Sequence, residues 1–71
     1  MDVSDLEPPE PMERILAALD ELPQGDCLKV RHRREPYPLY NLLRNMDFAW
    51  RSKWRDGGLD LLIWHAGHPP A

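Results

Sequence analysis

The sequence predicts an α/β (α+β) fold in which two helices pack on one face of a four-stranded mixed sheet. Two proline-rich stretches each precede a segment with helical apolar spacing, and two other segments alternate apolar and polar residues as strands do. The residues Asp56-Gly57-Gly58 read as a hairpin turn between the last two strands. Short strand–helix–strand crossovers are right-handed, which places both helices on the same side. The expected architecture is a two-layer βαβαββ sandwich.

The chain of 71 residues is long enough for one small domain, which we place at residues 1–66, followed by a disordered tail at residues 67–71. Its one cysteine, Cys27, cannot form an internal disulfide, as is typical of a reducing cytoplasm. No apolar run approaches the roughly 20 residues that span a bilayer, and the acidic start differs from a signal peptide. We therefore expect a cytoplasmic protein without a membrane partner.

The first helix is expected to begin at Pro11 and to end at Leu22. Proline suits the first helical position, where no backbone donor is needed, and Pro8 and Pro9 are expected to hold the preceding chain extended. A short strand at residues 2–4 precedes them. The apolar residues of this helix fall on one face: Met12, Ile15, Leu16, Leu19 and Leu22.

The remaining elements are a strand at 27–33, a short helix from Leu39 to about residue 46, and strands at 48–55 and 59–65. The expected strand order in the sheet is first, second, fourth, third. Alternation and helical spacing predict which of their side chains are buried: Leu28, Val30, His32, Leu39, Leu42, Leu43, Met46, Phe48, Trp50 and Trp54.

Residues 2–65 resemble a known family. The pattern Asp2-x-x-x-Leu6-x-Pro8-Pro9-Glu10-Pro11 is similar to the opening of the TusA/SirA-like sulfur carriers, which have a Cys-Pro-x-Pro motif at the helix start and a βαβαββ fold. His32-Arg33-Arg34-Glu35-Pro36-x-Pro38-Leu39-Tyr40-x-Leu42-Leu43 and Phe48-Ala49-Trp50-Arg51 resemble a subgroup of uncharacterised function, sometimes joined to hemerythrin-like domains. In the carriers the thiol stands at the position of Pro8, and proline cannot carry sulfur. The resemblance implies the fold, and the carrier function is not inherited.

A binding rim is expected where the proline-rich starts of the two helices meet the loop after the strand at 27–33. His32 points inward at the end of that strand. The alternative for His32 is a histidine at the edge of the core that hydrogen-bonds the loop. The predicted binding rim consists of Pro9, Glu10, Pro11, His32, Arg34, Glu35 and Tyr40.

The charges are segregated along a chain of net charge −3. Eight of the twelve acidic residues lie in residues 1–26, and eight of the nine Lys and Arg lie in residues 29–55. Strand alternation places six cations on the open sheet face, with Leu62 and Trp64 between them. This favours an acidic protein partner, the low overall charge disfavours nucleic acid, and the alternative is a face that long cations merely keep soluble. The predicted basic face consists of Lys29, Arg31, Arg33, Arg51, Lys53 and Arg55.

No Ser/His/Asp set, carboxylate pair or glycine-rich phosphate loop can be assembled, so we expect no enzyme, no catalytic residue and no cofactor. The leading hypothesis is a non-catalytic cytoplasmic binding or adaptor module. One alternative is a redox or sulfur-relay protein using Cys27, although no cation or helix start beside it favours the thiolate. The other is a metal- or haem-associated accessory domain using His32, His65 and His68, although we expect no metal site. The sequence leaves the oligomeric state open.

Overall fold

The structure, a computed structural model that describes residues 1–70, contains two helices and a three-stranded antiparallel sheet. In chain order the elements are α1 (Glu10–Asp20), β1 (Cys27–His32), α2 (Tyr37–Asn45), β2 (Phe48–Arg55) and β3 (Gly58–His65). The last strand, β3, lies in the middle of the sheet and pairs with β1 on one side and β2 on the other. The fold is therefore α+β, and its three strands have the expected neighbours.

The prediction of a four-stranded mixed sheet is wrong, because residues 2–4 do not form a strand. Asp2 makes a single isolated parallel bridge with Arg31, in which the Val3 amide donates to the Arg31 carbonyl at 2.9 Å. The Asp2 carboxylate then accepts a hydrogen bond from the Ser4 amide at 2.9 Å. This local turn leads the chain away from β1 before a second bridge can form.

The proline-rich start of α1 is a turn, whereas the sequence predicted an extended approach. The Glu10 amide donates to the Glu7 carbonyl at 2.9 Å, and the Pro8–Pro9 peptide bond between them is cis. Helix α1 begins at Glu10, one residue before Pro11, and ends at Asp20. A helix leaves its first four amides unpaired within the helix, so proline is accommodated at the second position as well as the first.

The hairpin between β2 and β3 closes with two residues, Asp56 and Gly57, which have positive φ angles of 52° and 77°. Arg55 and Gly58 are then the first cross-strand pair. Two central residues with φ > 0 match the right-handed twist of the strands, which is why Asp-Gly is favoured there. Gly58 thus belongs to the strand, one residue earlier than the predicted start.

Both helices pack on the same face of the sheet, because their buried residues join one core with the inward-facing side chains of all three strands. Leu42, Met46 and Trp54 are exposed to 37%, 41% and 53%, so their predicted burial is wrong. Strand β2 is exposed from Arg51 onward, and neither helix covers the end that carries Trp54. The buried apolar core consists of Val3, Ile15, Leu19, Val30, Leu39, Tyr40, Leu43, Phe48, Leu59, Leu61 and Ile63.

After β3 the chain makes a turn in which the His68 amide donates to the His65 carbonyl at 3.0 Å. Residues 67–70 of the predicted disordered tail contain neither helix nor strand, and Ala71 lies outside the described residues. Neither helix in residues 1–70 has the length or the apolar composition to cross a membrane.

Candidate functional site

A cleft of about 350 Å³ lies between the N-terminal proline-rich segment and the loop that joins β1 to α2. Small-molecule sites in proteins typically measure roughly 300–1,000 Å³, so this cleft has room for a small ligand only. Its polar lining comes from His32 at the end of β1 and from residues 33–35 of the loop. The apolar walls include Leu6, Pro8, Pro9, Met12, Pro36 and Leu39.

His32 lines this cleft and is the buried polar side chain of residues 1–70, with 8% of its surface exposed. Its Nδ1 accepts hydrogen bonds from the Arg33 amide at 2.9 Å and the Arg34 amide at 3.2 Å. Burial, followed by the charges of Arg34 and Arg33, lowers the pKa of His32. The ring is therefore a neutral imidazole with its proton on Nε2, which has no protein partner within residues 1–70.

The two arginines beside His32 differ in their surroundings. Arg33 lies 3.6 Å from the carboxylate of Glu7, which belongs to the proline-rich segment across the cleft. The Arg34 guanidinium makes neither an ion pair nor a hydrogen bond with any of residues 1–70. Arg34 is therefore the arginine of the cleft that has no ion-pair partner within residues 1–70.

Glu35 is held by the core through Tyr40. The Tyr40 hydroxyl donates to Glu35 Oε2, and the Tyr40 ring is buried between Tyr37 at 6.0 Å and Trp50 at 4.9 Å between centroids. Burial and then the neighbouring Glu35 carboxylate raise the pKa of Tyr40, so the hydroxyl stays protonated and remains a donor. The carboxylate of Glu35 is thus already engaged.

The structure brings most of the predicted binding rim together. Pro9, Pro11, His32, Arg34 and Glu35 all line the cleft. Glu10 lies at the helix start and pairs with Arg14 at 2.8 Å, and Tyr40 belongs to the core and supports the rim only through its hydroxyl. Sequence reasoning missed the walls at Leu6 and Met12. Both residues could have been found from the sequence, because they are the apolar residues that stand on either side of the prolines.

The second candidate surface is the sheet face that the helices leave uncovered. Register places Lys29, Leu62 and Arg51 side by side across the three strands, and Arg31, Asp60 and Lys53 on the next rung. A shallow depression of about 410 Å³ lies along these two rungs and reaches Arg55. The side chains of Lys29, Arg51 and Lys53 are exposed and form no ion pair within residues 1–70. The face is therefore cationic around a half-buried leucine.

Asp60 stands in the middle of the cationic face and was not singled out from the sequence. Its carboxylate is 2.8 Å from the guanidinium of Arg31 and 2.8 Å from that of Arg55. The hydrogen bond from Arg31 is the main cause of the lowered pKa of Asp60. Arg31 also reaches the Asp56 carbonyl at 3.2 Å and lies over Gly58, where a Cβ would come within 2.7 Å of its guanidinium. Arg31 is thus held in place by the hairpin.

One predicted member of the basic face lies elsewhere. Arg33 follows the end of β1, lines the cleft and pairs with Glu7. The uncovered face therefore carries five of the six predicted cations, and we call it the basic face with these members: Lys29, Arg31, Arg51, Lys53 and Arg55.

The residues proposed for redox or metal chemistry are far apart. Cys27 is half-buried at the start of β1, paired with Trp64, at the opposite end of the strand from His32 and the cleft. His32 pairs with Leu59 near the beginning of β3, whereas His65 ends β3 and its Nε2 lies 2.7 Å from the Leu22 carbonyl. No group of three or more His, Cys, Asp or Glu side chains in residues 1–70 is placed to hold a metal ion.

A family model described as "Uncharacterized conserved protein (DUF2249)" matches residues 1–65, which include the cleft and the basic face. No curated protein and no solved structure was found to match the chain.

Proposed function

The chain belongs to the DUF2249 family of uncharacterized conserved proteins, and from the geometry of its surfaces we propose that it is a non-catalytic binding module whose basic face docks an acidic protein partner. The observation that carries the proposal is the rung formed by Lys29, Leu62 and Arg51. This rung places one exposed cation on each side of an apolar side chain, on a face that no helix covers.

A protein partner is favoured over a nucleic acid by the composition of this face. Protein interfaces combine an apolar centre with a polar rim, and Leu62 and Trp64 supply half-buried apolar surface on the central strand. Binding to single strands relies on exposed aromatic rings that stack with bases, whereas the side chain between Arg31 and Lys53 is the carboxylate of Asp60. A carboxylate offers no surface on which a base can stack.

The size of the face supports a transient complex. Strands β2 and β3 are eight residues long and β1 is six, so with about 4.8 Å between strands and about 3.3 Å per residue the face measures about 10–15 Å by about 20–26 Å. Such an area is well below the roughly 800 Å² per partner of a standard stable interface, so the face suits only a weak and short-lived complex. An adaptor that exchanges partners would have such a surface.

The proposal extends to the cellular location of the protein and to its kinship with the sulfur carriers. A cytoplasmic location is supported by the single unpaired cysteine. Kinship with the TusA/SirA-like carriers is supported by the prolines at the start of α1, but Pro8 forms a wall of the cleft and offers no thiol. Sulfur transfer at this position is therefore not part of the proposed function.

The test uses a fluorescent acidic peptide with glutamates on both sides of a leucine–phenylalanine pair. We expect saturable binding at low salt that weakens as salt is added, and loss of binding in Lys29→Glu/Arg51→Glu. The matched control is Arg14→Glu/Arg44→Glu, which changes the charge equally on the helices and should bind as wild type does. Equal loss in both variants, or no saturable binding to the wild type, would contradict the proposal.

A further inference from the structure

The cleft beside His32 lies apart from the basic face and has the composition of a small-molecule site. Its walls are built of proline, leucine and methionine side chains, which offer an apolar surface without hydrogen-bonding groups. Prolines also keep such walls rigid, because their φ angle is fixed. An apolar body of a ligand can therefore be buried there without ordering a flexible loop.

The polar groups in this cleft select the charge of the ligand. Nδ1 of His32 accepts hydrogen bonds from two backbone amides, so the only donor that the ring can offer to a ligand is Nε2–H. Every buried side-chain nitrogen or oxygen in residues 1–70 has a hydrogen-bonding partner. Because Nε2 of His32 has no such partner, it must be accessible to solvent, and the space beside it is the cleft that His32 lines. A donor at the edge of an apolar cleft requires an acceptor from the ligand.

The hydrogen-bond donors that are free around His32 favour a carboxylate. Arg33 lies 3.6 Å from the Glu7 carboxylate, and one oxygen of Glu35 accepts a hydrogen bond from the Tyr40 hydroxyl, whereas the Arg34 guanidinium has no partner in residues 1–70. One neutral donor and one free guanidinium match the two oxygens of a carboxylate, which accepts charge-assisted hydrogen bonds from arginine.

We propose that the cleft binds a small amphipathic carboxylate, whose apolar body lies between the proline-rich walls and whose oxygens accept hydrogen bonds from His32 Nε2 and the Arg34 guanidinium. The site would make the domain a sensor or carrier of such an acid. The cleft and the basic face share no lining residue, so the two proposals stand independently.

The probes are octanoate, octanol and octylamine, which share one apolar chain and differ in charge. They are titrated into the full chain while amide and histidine signals are followed by NMR. We expect octanoate to shift the signals of Met12, Arg34 and His32 saturably and to bind at least about tenfold more tightly than octanol, with octylamine weakest. Equal binding of octanoate and octanol, or no saturable binding of octanoate, would overturn the proposal.

Substitutions locate the binding. Arg34→Gln should weaken octanoate about tenfold and leave octanol unchanged, whereas Arg51→Gln, the same change on the basic face, should leave octanoate unchanged. His32→Asn keeps an acceptor near the position of Nδ1 and removes the Nε2 donor, so it should weaken octanoate in the same way. Should this variant not fold, Arg34→Gln alone decides. Octanoate that binds Arg34→Gln as it binds the wild type, or that loses affinity in Arg51→Gln, would refute the assignment.

Discussion

The ring of Tyr40 stacks on the indole of Trp50, with 4.9 Å between the ring centroids and 8° between the ring planes. The same tyrosine donates its hydroxyl hydrogen to Glu35 at the cleft. The Arg44 guanidinium carbon lies over the Trp50 ring, 5.4 Å from its centroid. This stack therefore connects α2, β2 and the loop that lines the cleft. The loop between β1 and α2 is therefore held in place by a core residue, Tyr40.

Tyr40→Phe and Tyr40→Leu separate the two contributions of this residue. The phenylalanine keeps the stack and loses the bond to Glu35, so we expect a loss of about 1–2 kcal/mol in the free energy of unfolding. Leucine also removes the aromatic pair, at a further cost of about 0.5–1.5 kcal/mol. Urea denaturation measures both. Equal stability of the two variants would mean that the stack contributes nothing.

The burial of α1 predicts a difference between two leucines that the sequence treated alike. Leu19 is 2% exposed in the core, whereas Leu16 is only partly buried against it. Leu19→Ala should therefore cost about 2–5 kcal/mol, and Leu16→Ala about 1–2 kcal/mol. Each 1 kcal/mol lowers the melting temperature of a domain of this size by about 4–8 °C. A larger loss for Leu16→Ala would contradict the helix orientation.

The lowered pKa of His32 predicts a loss of stability in mild acid. The unfolded chain binds a proton on this residue below a pH of about 6.5, and the native state resists binding it because the ring is buried beside Arg34 and Arg33. Stability is therefore fully present above a pH of about 6.5 and falls as the pH drops from there towards the native pKa.

His32→Asn removes this titration while it keeps an acceptor for the two loop amides. We expect denaturation curves of the variant to change less between pH 7.5 and pH 5 than those of the wild type. His68→Asn, which alters an exposed histidine, serves as the control and should keep the wild-type dependence. Identical pH dependence in wild type and His32→Asn would show that another group is responsible.

The elements that the sequence predicted well are those with a strong local pattern. Strand β2 has the predicted bounds, because the alternation from Phe48 to Arg55 is uninterrupted and a two-residue turn follows. The N-terminal strand failed because Asp2 forms a local turn with Ser4, and alternation over three residues cannot distinguish this turn from a strand. Short segments take their structure from such local hydrogen bonds.

The candidate site was harder to predict because it depends on contacts between distant residues. In α2 the buried face contains Leu39 and Leu43. Helical spacing alone allows either Tyr40 or Leu42 to be the third buried residue of this face. Burial of Tyr40 follows from the stack with Trp50, which only the packed structure places. Asp60 was missed for a similar reason, because the run Leu61-Leu62-Ile63 hides the parity of β3 until register fixes it.

Cys27 is expected to be chemically incidental. It lies at the far end of β1 from the cleft, so Cys27→Ser should leave octanoate binding, acidic-peptide binding and the fold unchanged. Incubation with a cysteine desulfurase and a sulfur donor, followed by mass spectrometry of the intact chain, provides a direct check. A persulfide on Cys27 would revive the sulfur-relay hypothesis and contradict this prediction.

The last prediction concerns Asp60, because its carboxylate opposes the proposed docking of an acidic partner. Charge reversal of Arg31 would not test this face cleanly, because Arg31 is half-buried and bonded to Asp60, so a glutamate there would place two carboxylates together. Asp60→Asn avoids this problem. It removes one negative charge from the basic face and keeps an oxygen that can accept a hydrogen bond from Arg31.

Asp60→Asn should bind the acidic peptide faster than the wild type by roughly two- to fivefold at low salt, because steering by a more positive face raises the association rate. The advantage should disappear near 1 M salt, where the Debye length is about 3 Å. Asp20→Asn is the matched control, since it changes the net charge of −3 by the same amount from the exposed surface of α1. Stopped-flow rates across salt distinguish the two. Equal acceleration in both variants would mean that only net charge matters, and the basic face would lose its role as the docking surface.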